Sequence, residues 1–297
     1  MRDLTAKLCL GTVQFGMRYG VNNALGRQPT DEEVFAILDI ALAEGIQMFD
    51  TASAYGAAEE LLGRYGLGTR GGQIVSKLHP AANGERRDVL DEIQRSIKLL
   101  AVSSLFCYML HRVEDLADVS VMAAMEEAKT RGWTDRIGVS IYSPADAMCA
   151  AEDPRIDVIQ VPYNALDQRL DDCGFFALAE KRGKKVFARS AFLQGLLLMA
   201  PASAEEKVAG SGVYVDHFQT VAREAGYLPQ EAAMLFALSH PRISYVVFGV
   251  DTSAQLKENA ALVSRWHAFS ETYQKLRDSF HDIDVNILEP HRWGKVR

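Results

Sequence analysis

Lys7-Leu8-Cys9-Leu10-Gly11-Thr12-Val13-Gln14-Phe15-Gly16 decides between two folds. Its first half is a short apolar run of strand length. A doubly wound sheet that holds a dinucleotide usually follows its first strand with G-x-G-x-x-G. Here Val13 takes the place of the middle glycine. The other architecture built from repeated β/α units, a closed barrel, needs no such turn.

Working outward, apolar runs recur at residues 7–11, 47–50, 74–77, 105–110, 136–140, 158–162, 185–189 and 245–249. Continuous runs, rather than strict alternation, suit parallel strands buried on both faces. Helix-like segments lie between them. Thr30 is a good N-cap, and Asp31, Glu32 and Glu33 suit the positive end of a helix dipole. Val34, Ile37, Leu38, Ile40, Ala41 and Leu42 then form an apolar stripe that Gly45 stops. Residues 89–100 place Leu90, Ile93, Ile97 and Leu100 on one face. Residues 122–129, 175–181, 229–238 and 253–263 read the same way.

Eight strands alternating with helices predict a (β/α)8 TIM barrel. The gap between Arg189 and Tyr245 must hold more than one helix, or a loop with helices. Trp266, Phe269, Tyr273, Leu276 and Phe280 recur at helical spacing, predicting a C-terminal packing helix and then an irregular tail. The basic end from His291 to Arg297 is expected to be disordered. No linker interrupts residues 1–297, so one domain is expected.

The chain of 297 residues carries a net charge of −7, which argues against a nucleic-acid partner. No run approaches the roughly 18 uncharged apolar residues of a membrane span. Met1-Arg2-Asp3-Leu4-Thr5 lacks the apolar core of a signal peptide, so a cytoplasmic location is expected. Cys9, Cys107, Cys149 and Cys173 are scattered, as are His217, His240, His267, His281 and His291, and no metal site is expected. Cys9 and Cys107 fall in strand-like runs and read as reduced, buried thiols. Neither a coiled-coil seam nor an edge-strand pattern points to a partner subunit.

Barrels of this kind carry their chemistry at the C-terminal ends of strands. The runs end at Asp50, Lys77, His111, Ser140 and Arg189; Gln160 lies within the sixth, and Tyr55 follows the second. Together a carboxylate, an ammonium, a phenol and an imidazole suit carbonyl reduction. The developing alkoxide needs a positioned acid. A phenol has a pKa near 10, and a neighbouring ammonium is expected to lower it. Tyr55 then reads as the general acid, Lys77 as its tuner, Asp50 as the anchor of Lys77, and His111 as the donor that orients the carbonyl oxygen.

At these positions the chain resembles the aldo-keto reductase superfamily, from Leu8 to about Val263. Phe49-Asp50-Thr51-Ala52-Ser53-Ala54-Tyr55-Gly56 resembles the family's FDTAxxYG signature. Ser76-Lys77, Leu110-His111-Arg112, Gly138-Val139-Ser140, and Gly249 with Leu256-Lys257-Glu258-Asn259 resemble further motifs in the same order. The resemblance implies an NAD(P)H-dependent reductase acting on a small carbonyl compound, such as a sugar. It implies that Ser140 and Gln160 hold the nicotinamide carboxamide. It places Arg189 where an aromatic residue often stacks on the nicotinamide, and Ile141 where an asparagine often stands. Ser190, Phe192, Gln194 and Gly195 fall in the segment that wraps the pyrophosphate. Thr12 and Asp50 are implied on the cofactor side of the first two strands. Gly249, Asp251, Gln255, Glu258 and Asn259 are implied along the adenosine half.

The family usually takes NADP(H), whose 2′-phosphate calls for Arg or Lys. No basic residue lies between Gly249 and Lys257, and Gln255 stands where an arginine is common. Asp251 would repel a phosphate yet accept from a free ribose hydroxyl, so NAD(H) is a live alternative. Two other functions fit parts of the pattern. One is a cofactor-binding regulatory barrel with little turnover. The other is an aldolase using Lys77 for a Schiff base. The loop at residues 14–20 borders the expected mouth, its aromatics packing either on substrate or on a neighbouring loop. His79 is expected to be exposed, and Tyr163-Asn164 to stabilise a loop.

Overall fold

A computed structural model describes residues 4–23, 25–80 and 88–293. Eight strands, β1 (Leu8–Gly11), β2 (Met48–Asp50), β3 (Gln73–Lys77), β4 (Cys107–Leu110), β5 (Ile137–Ser140), β6 (Val158–Pro162), β7 (Lys185–Arg189) and β8 (Tyr245–Gly249), form a closed barrel in sequence order. Every neighbouring pair is parallel, and β8 closes on β1 through Leu8↔Val246 to Gly11↔Gly249. The expected barrel is present.

Alternation along each strand divides the core in two. Cys9, Met48, Val75, Cys107, Met109, Val158 and Phe187 pack together inside the barrel. Their neighbours, among them Leu10, Phe49, Ile74, Tyr108, Val139, Ile159 and Phe248, face outward into the larger core with the helices. Gly138 keeps the interior open: a Cβ there would meet Met109 Cγ at 2.8 Å and Cys107 Sγ at 3.0 Å. Carried one pleat further, the inward parity of Met48, Val75, Val158 and Phe187 selects Asp50, Lys77, Gln160 and Arg189 at the barrel's C-terminal end.

Most element limits agree with the periodicity. The helix Asp31–Ala43 starts in a capping box, with Thr30 Oγ1 accepting from Glu33 N–H and Glu33 accepting from Thr30 N–H at 2.7 Å. Such a box satisfies two orphan N–H groups at once. Its buried stripe is Val34, Ile37, Leu38 and Ala41. The helices Val89–Leu100, Phe175–Lys181 and Pro229–Ser239 lie where expected, and Val119–Thr130 starts three residues before residue 122. Lys7 is a difference. It belongs to a 3-10 turn, and its ammonium donates to the carbonyls of His240 and Leu238 at 3.1 and 3.4 Å. Leu105 is another, forming only an isolated bridge to Thr134 before β4 begins.

Helices Ala58–Tyr65 and Pro144–Glu152 complete the β/α units after β2 and β5. The gap before β8 holds Pro201–Lys207, Gly212–Glu224 and Pro229–Ser239. The segment from Ser253 is helical only to Ala261, and a 3-10 stretch, Leu262–Ala268, takes in Trp266. The packing helix is Ser270–Ser279. The tail corrects the expected irregularity with two short turns, Val285–Leu288 and Pro290–Arg292. Buried Glu289 anchors it, accepting from Arg292 at 2.6 Å and Arg169 at 3.2 Å. Trp293 donates to the Ile287 carbonyl at 3.2 Å, so the expected terminal disorder fails for 291–293. Residues 294–297 lie outside the described residues. No helix among the described residues is long and apolar enough to cross a membrane.

Candidate active site

Two glycines bring the loops after β1 and β2 together at the mouth. A Cβ on Gly16 would meet the Tyr55 carbonyl oxygen at 1.6 Å, and one on Gly56 would meet the Gly16 carbonyl oxygen at 2.3 Å. Only glycine permits this crossing, and Gly56 also has φ +54°. The crossing fixes the start of Tyr55's side chain.

Beneath it lies a buried ion pair. Lys77 Nζ donates to Asp50 Oδ1 at 2.6 Å and to the Thr51 carbonyl at 2.9 Å, and Lys77 is 1% exposed. Gln160 Nε2 donates to the other Asp50 oxygen at 2.7 Å. Asp50 therefore has both oxygens engaged, as a buried carboxylate requires. Thr12 bonds the Asp50 carbonyl through its backbone N–H and Oγ1. Lys77 Nζ stands 5.1 Å from the Tyr55 ring centroid. The His111 ring meets Tyr55 edge-on at 6.1 Å. The four expected groups are thus brought to one end of the barrel.

Their electrostatics correct one expectation. Desolvation raises the Tyr55 pKa; Lys77 lowers it, but Asp50 raises it again. Desolvation outweighs the ammonium, whose pull Asp50 only partly offsets, so the phenol stays protonated well into alkaline solution. Burial by itself would lower the Lys77 pKa, yet Asp50, by charge and hydrogen bond, and Tyr55 raise it overall. Desolvation, then Lys77 and Arg189, push the His111 imidazole down to about 3. His111 is neutral at any ordinary pH. Its Nδ1 is buried without a partner among the described residues.

A cleft of about 440 Å³ runs from Tyr55 to the helix Ser253–Ala261. Of the expected cofactor residues, Thr12, Asp50, Gln160, Arg189, Ser190, Phe192, Gln194, Gly195, Gly249, Asp251, Gln255, Glu258 and Asn259 line it. Ser140 does not; it is 5% exposed and pairs with Gln160 across β5 and β6. The loop after β7 is held in left-handed backbone at Ser190 (φ +64°), Leu193 (φ +47°) and Gln194 (φ +54°). Such conformations cost about 1 kcal/mol or more each for side-chain-bearing residues and gather at binding segments.

Asn22 and Asn23 also line the cleft, beyond the 14–20 loop that the sequence places at its mouth. The loop after β1 reaches beyond residue 20, and Asn23 donates to Asp251 Oδ1 at 3.0 Å across 228 residues. Gln194 accepts from Val21 N–H at 3.1 Å and donates to the Tyr19 hydroxyl at 2.9 Å. Tyr19 therefore packs on a neighbouring loop. Gln14 rests on Gly249, where a Cβ would meet its Oε1 at 2.5 Å, and that oxygen has no partner among the described residues. No local signal announces these pairings. Tyr142 lies under the Arg189 guanidinium at 4.2 Å. His79 is exposed, and Asn164 ties its loop, as expected.

The residues fit an extended dinucleotide. One end offers the strained backbone at 190–195. The other offers carboxylates and amides: Gln255 Oε1 accepts from the N–H groups of Asp251 and Thr252 at 2.7 and 3.3 Å, leaving Asp251, Glu258 and Asn259 on the wall. No group of three or more His, Cys, Asp or Glu among the described residues has metal-site geometry.

The sequence profile of the Aldo/keto reductase family matches residues 7–278. An uncharacterized oxidoreductase, YrpG, of Bacillus subtilis (strain 168) is 25% identical, over 97% of this chain and 96% of its own length. The L-glyceraldehyde 3-phosphate reductase of Escherichia coli (strain K12) is 22% identical, over 86% of this chain and 85% of its own. A solved aldo-keto reductase structure from Pseudomonas aeruginosa superimposes with a TM-score of 0.65 over 88% of this chain and 90% of that one. At 22% identity that likeness is one of fold.

Proposed function

The chain belongs to the aldo/keto reductase family, an NAD(P)H-dependent oxidoreductase family, and from that premise we propose that it reduces a small aldehyde or ketone with Tyr55 as general acid. The observation that carries this reading is the Asp50–Lys77 pair buried against the Tyr55 ring. A bound reduced nicotinamide supplies the hydride. Tyr55 gives its proton to the carbonyl oxygen as charge develops there. Lys77, held charged by Asp50, stabilises the phenolate that remains. Neutral His111 donates a hydrogen bond to the same oxygen and orients it. Gln160, with Nε2 committed to Asp50, offers Oε1 to the carboxamide, and Ser140 supports it from β5. Ser190, Phe192, Gln194 and Gly195 would hold the pyrophosphate region, with Thr12 on the wall of the same cleft.

The adenosine half favours NADH. Among the described residues Arg189 is the only cation on the cleft wall, and it lies on β7 rather than beside Gly249. Asp251 and Glu258 would face a 2′-phosphate, whereas Asp251 suits a free ribose hydroxyl. The aldolase alternative needs a neutral lysine, and the raised Lys77 pKa opposes it. Four free cysteines support a cytoplasmic location.

Reduction of 4-nitrobenzaldehyde with NADH and NADPH at equal concentrations tests both parts. Turnover is expected, with NADH serving. No turnover would favour a regulatory barrel, and an NADPH preference of about a thousandfold, ~4 kcal/mol, would contradict the NADH reading.

A further inference from the structure

Arg189 ends β7 half-buried on the cleft wall, which it shares with Asp50, Tyr55 and Gln160. Among the described residues no other cation lines that wall, and no carboxylate lies within ion-pair distance of Arg189. Its neighbours are neutral. Nη2 donates to the Ile141 carbonyl at 3.0 Å, Nη1 donates to Ser190 Oγ at 3.3 Å, and the guanidinium lies over the Tyr142 ring at 4.2 Å. Tyr142 is itself braced by the His291 ring at 4.7 Å. A guanidinium has five N–H donors in one plane. Two are committed, and they fix the plane while leaving the rest of the fork unspent. A partly desolvated cation without a counter-ion is costly unless an anion arrives to meet it. Arg189 is also close enough to the reacting groups that its charge is felt at both Tyr55 and His111.

We propose that Arg189 is a specificity-determining residue that binds an anionic group, carboxylate or phosphate, carried by the carbonyl substrate itself. The inference rests on the reductase reading of the site. The Tyr142 ring and the Ile141 carbonyl hold the fork at the catalytic end of the cleft, where the substrate must lie. The planar fork matches both oxyanions bidentately. Asp251 and Glu258 line the adenosine end, so an anion entering with substrate is drawn to Arg189. A neutral carbonyl compound of the same shape leaves the cation unpaired.

The test compares 3-formylbenzoate with its methyl ester, and glyceraldehyde 3-phosphate with glyceraldehyde, using NADH. NADH affinity is followed separately by fluorescence titration. The expected result is a kcat/KM for the anion about tenfold or more above its neutral partner in at least one pair. The pair that shows it distinguishes carboxylate from phosphate. Arg189→Met should abolish the preference through KM, and Arg189→Lys should keep part of it. Should Arg189→Met fail to fold, the wild-type ratios and the lysine variant still decide. Equal use of anion and neutral partner in both pairs by the wild type would overturn the proposal. So would an Arg189→Met variant that weakens NADH binding and slows both partners alike, since Arg189 would then serve the cofactor. If the wild type reduces none of the four, the reductase reading itself fails and this inference with it.

Discussion

Tyr55 illustrates how far a residue's chemistry follows from its neighbours. A single ammonium beside a phenol should lower its pKa, but here the ammonium is matched by Asp50 at 2.6 Å and desolvation wins. The consequence is a protonated acid over a wide range. With the phenol raised above its ordinary value and His111 neutral down to about 3, neither group changes charge between about pH 6 and 9. The reduction rate, measured at saturating NADH, should be flat over that range. A titration near pH 6.5 would contradict the assignment of His111, and a fall between pH 7 and 9 that of Tyr55. The identities and common location of all four groups were legible, because the strand-like runs end at Asp50, Lys77 and His111 and the FDTAxxYG-like stretch supplies Tyr55. The sign of the Tyr55 shift was not legible, because it depends on how completely the fold buries the phenol.

At the scale of elements, helices with a broad stripe of large apolar residues were more readable than those without one. The helix Asp31–Ala43 has an N-cap, acids in its first turn and Gly45 just beyond its end. Pro144–Glu152 is largely alanine on its buried side, so periodicity carried little signal, although Ser143 caps it and Pro144 opens it. The extension of the 14–20 loop to Asn23, and the partners of that loop, were invisible for another reason: Gln194 and Asp251 lie in loops after β7 and β8. Contacts between loops so far apart in sequence leave no periodic trace. Thr30→Ala tests the capping account. Loss of the bond from Glu33 N–H should destabilise the protein by about 1 kcal/mol, read as a lower urea midpoint at unchanged slope. Reduction kinetics should stay the same, because the cap lies on the outer helix. An unchanged midpoint would mean that the box contributes nothing.

Across the whole molecule, two histidines tie stability to pH. His240, 3% exposed, donates from Nε2 to Asp171 at 3.2 Å and accepts from Arg242 N–H at Nδ1. Desolvation outweighs the pull of Asp171 and lowers its pKa. His111 is lowered to about 3. Both folded values lie below the unfolded value of about 6.5, so the fold favours the neutral forms. That contribution is fully present above about pH 6.5 and is lost as pH falls below it. Once below that point, His111 costs about 1.4 kcal/mol per pH unit, and His240 adds loss of the same sign. The urea midpoint should therefore drop between pH 7.5 and 5.5. An unchanged or rising midpoint would show that these rings are solvated or protonated in the folded protein.

The central claim is that Tyr55 delivers the proton. It is tested most directly by Tyr55→Phe, with hydride transfer to 4-nitrobenzaldehyde and NADH affinity measured on the same preparation. The account predicts a loss of reduction of about a hundredfold or more, with NADH binding within about twofold of wild type. A variant that reduces the aldehyde at near the wild-type rate would show that the proton comes from elsewhere.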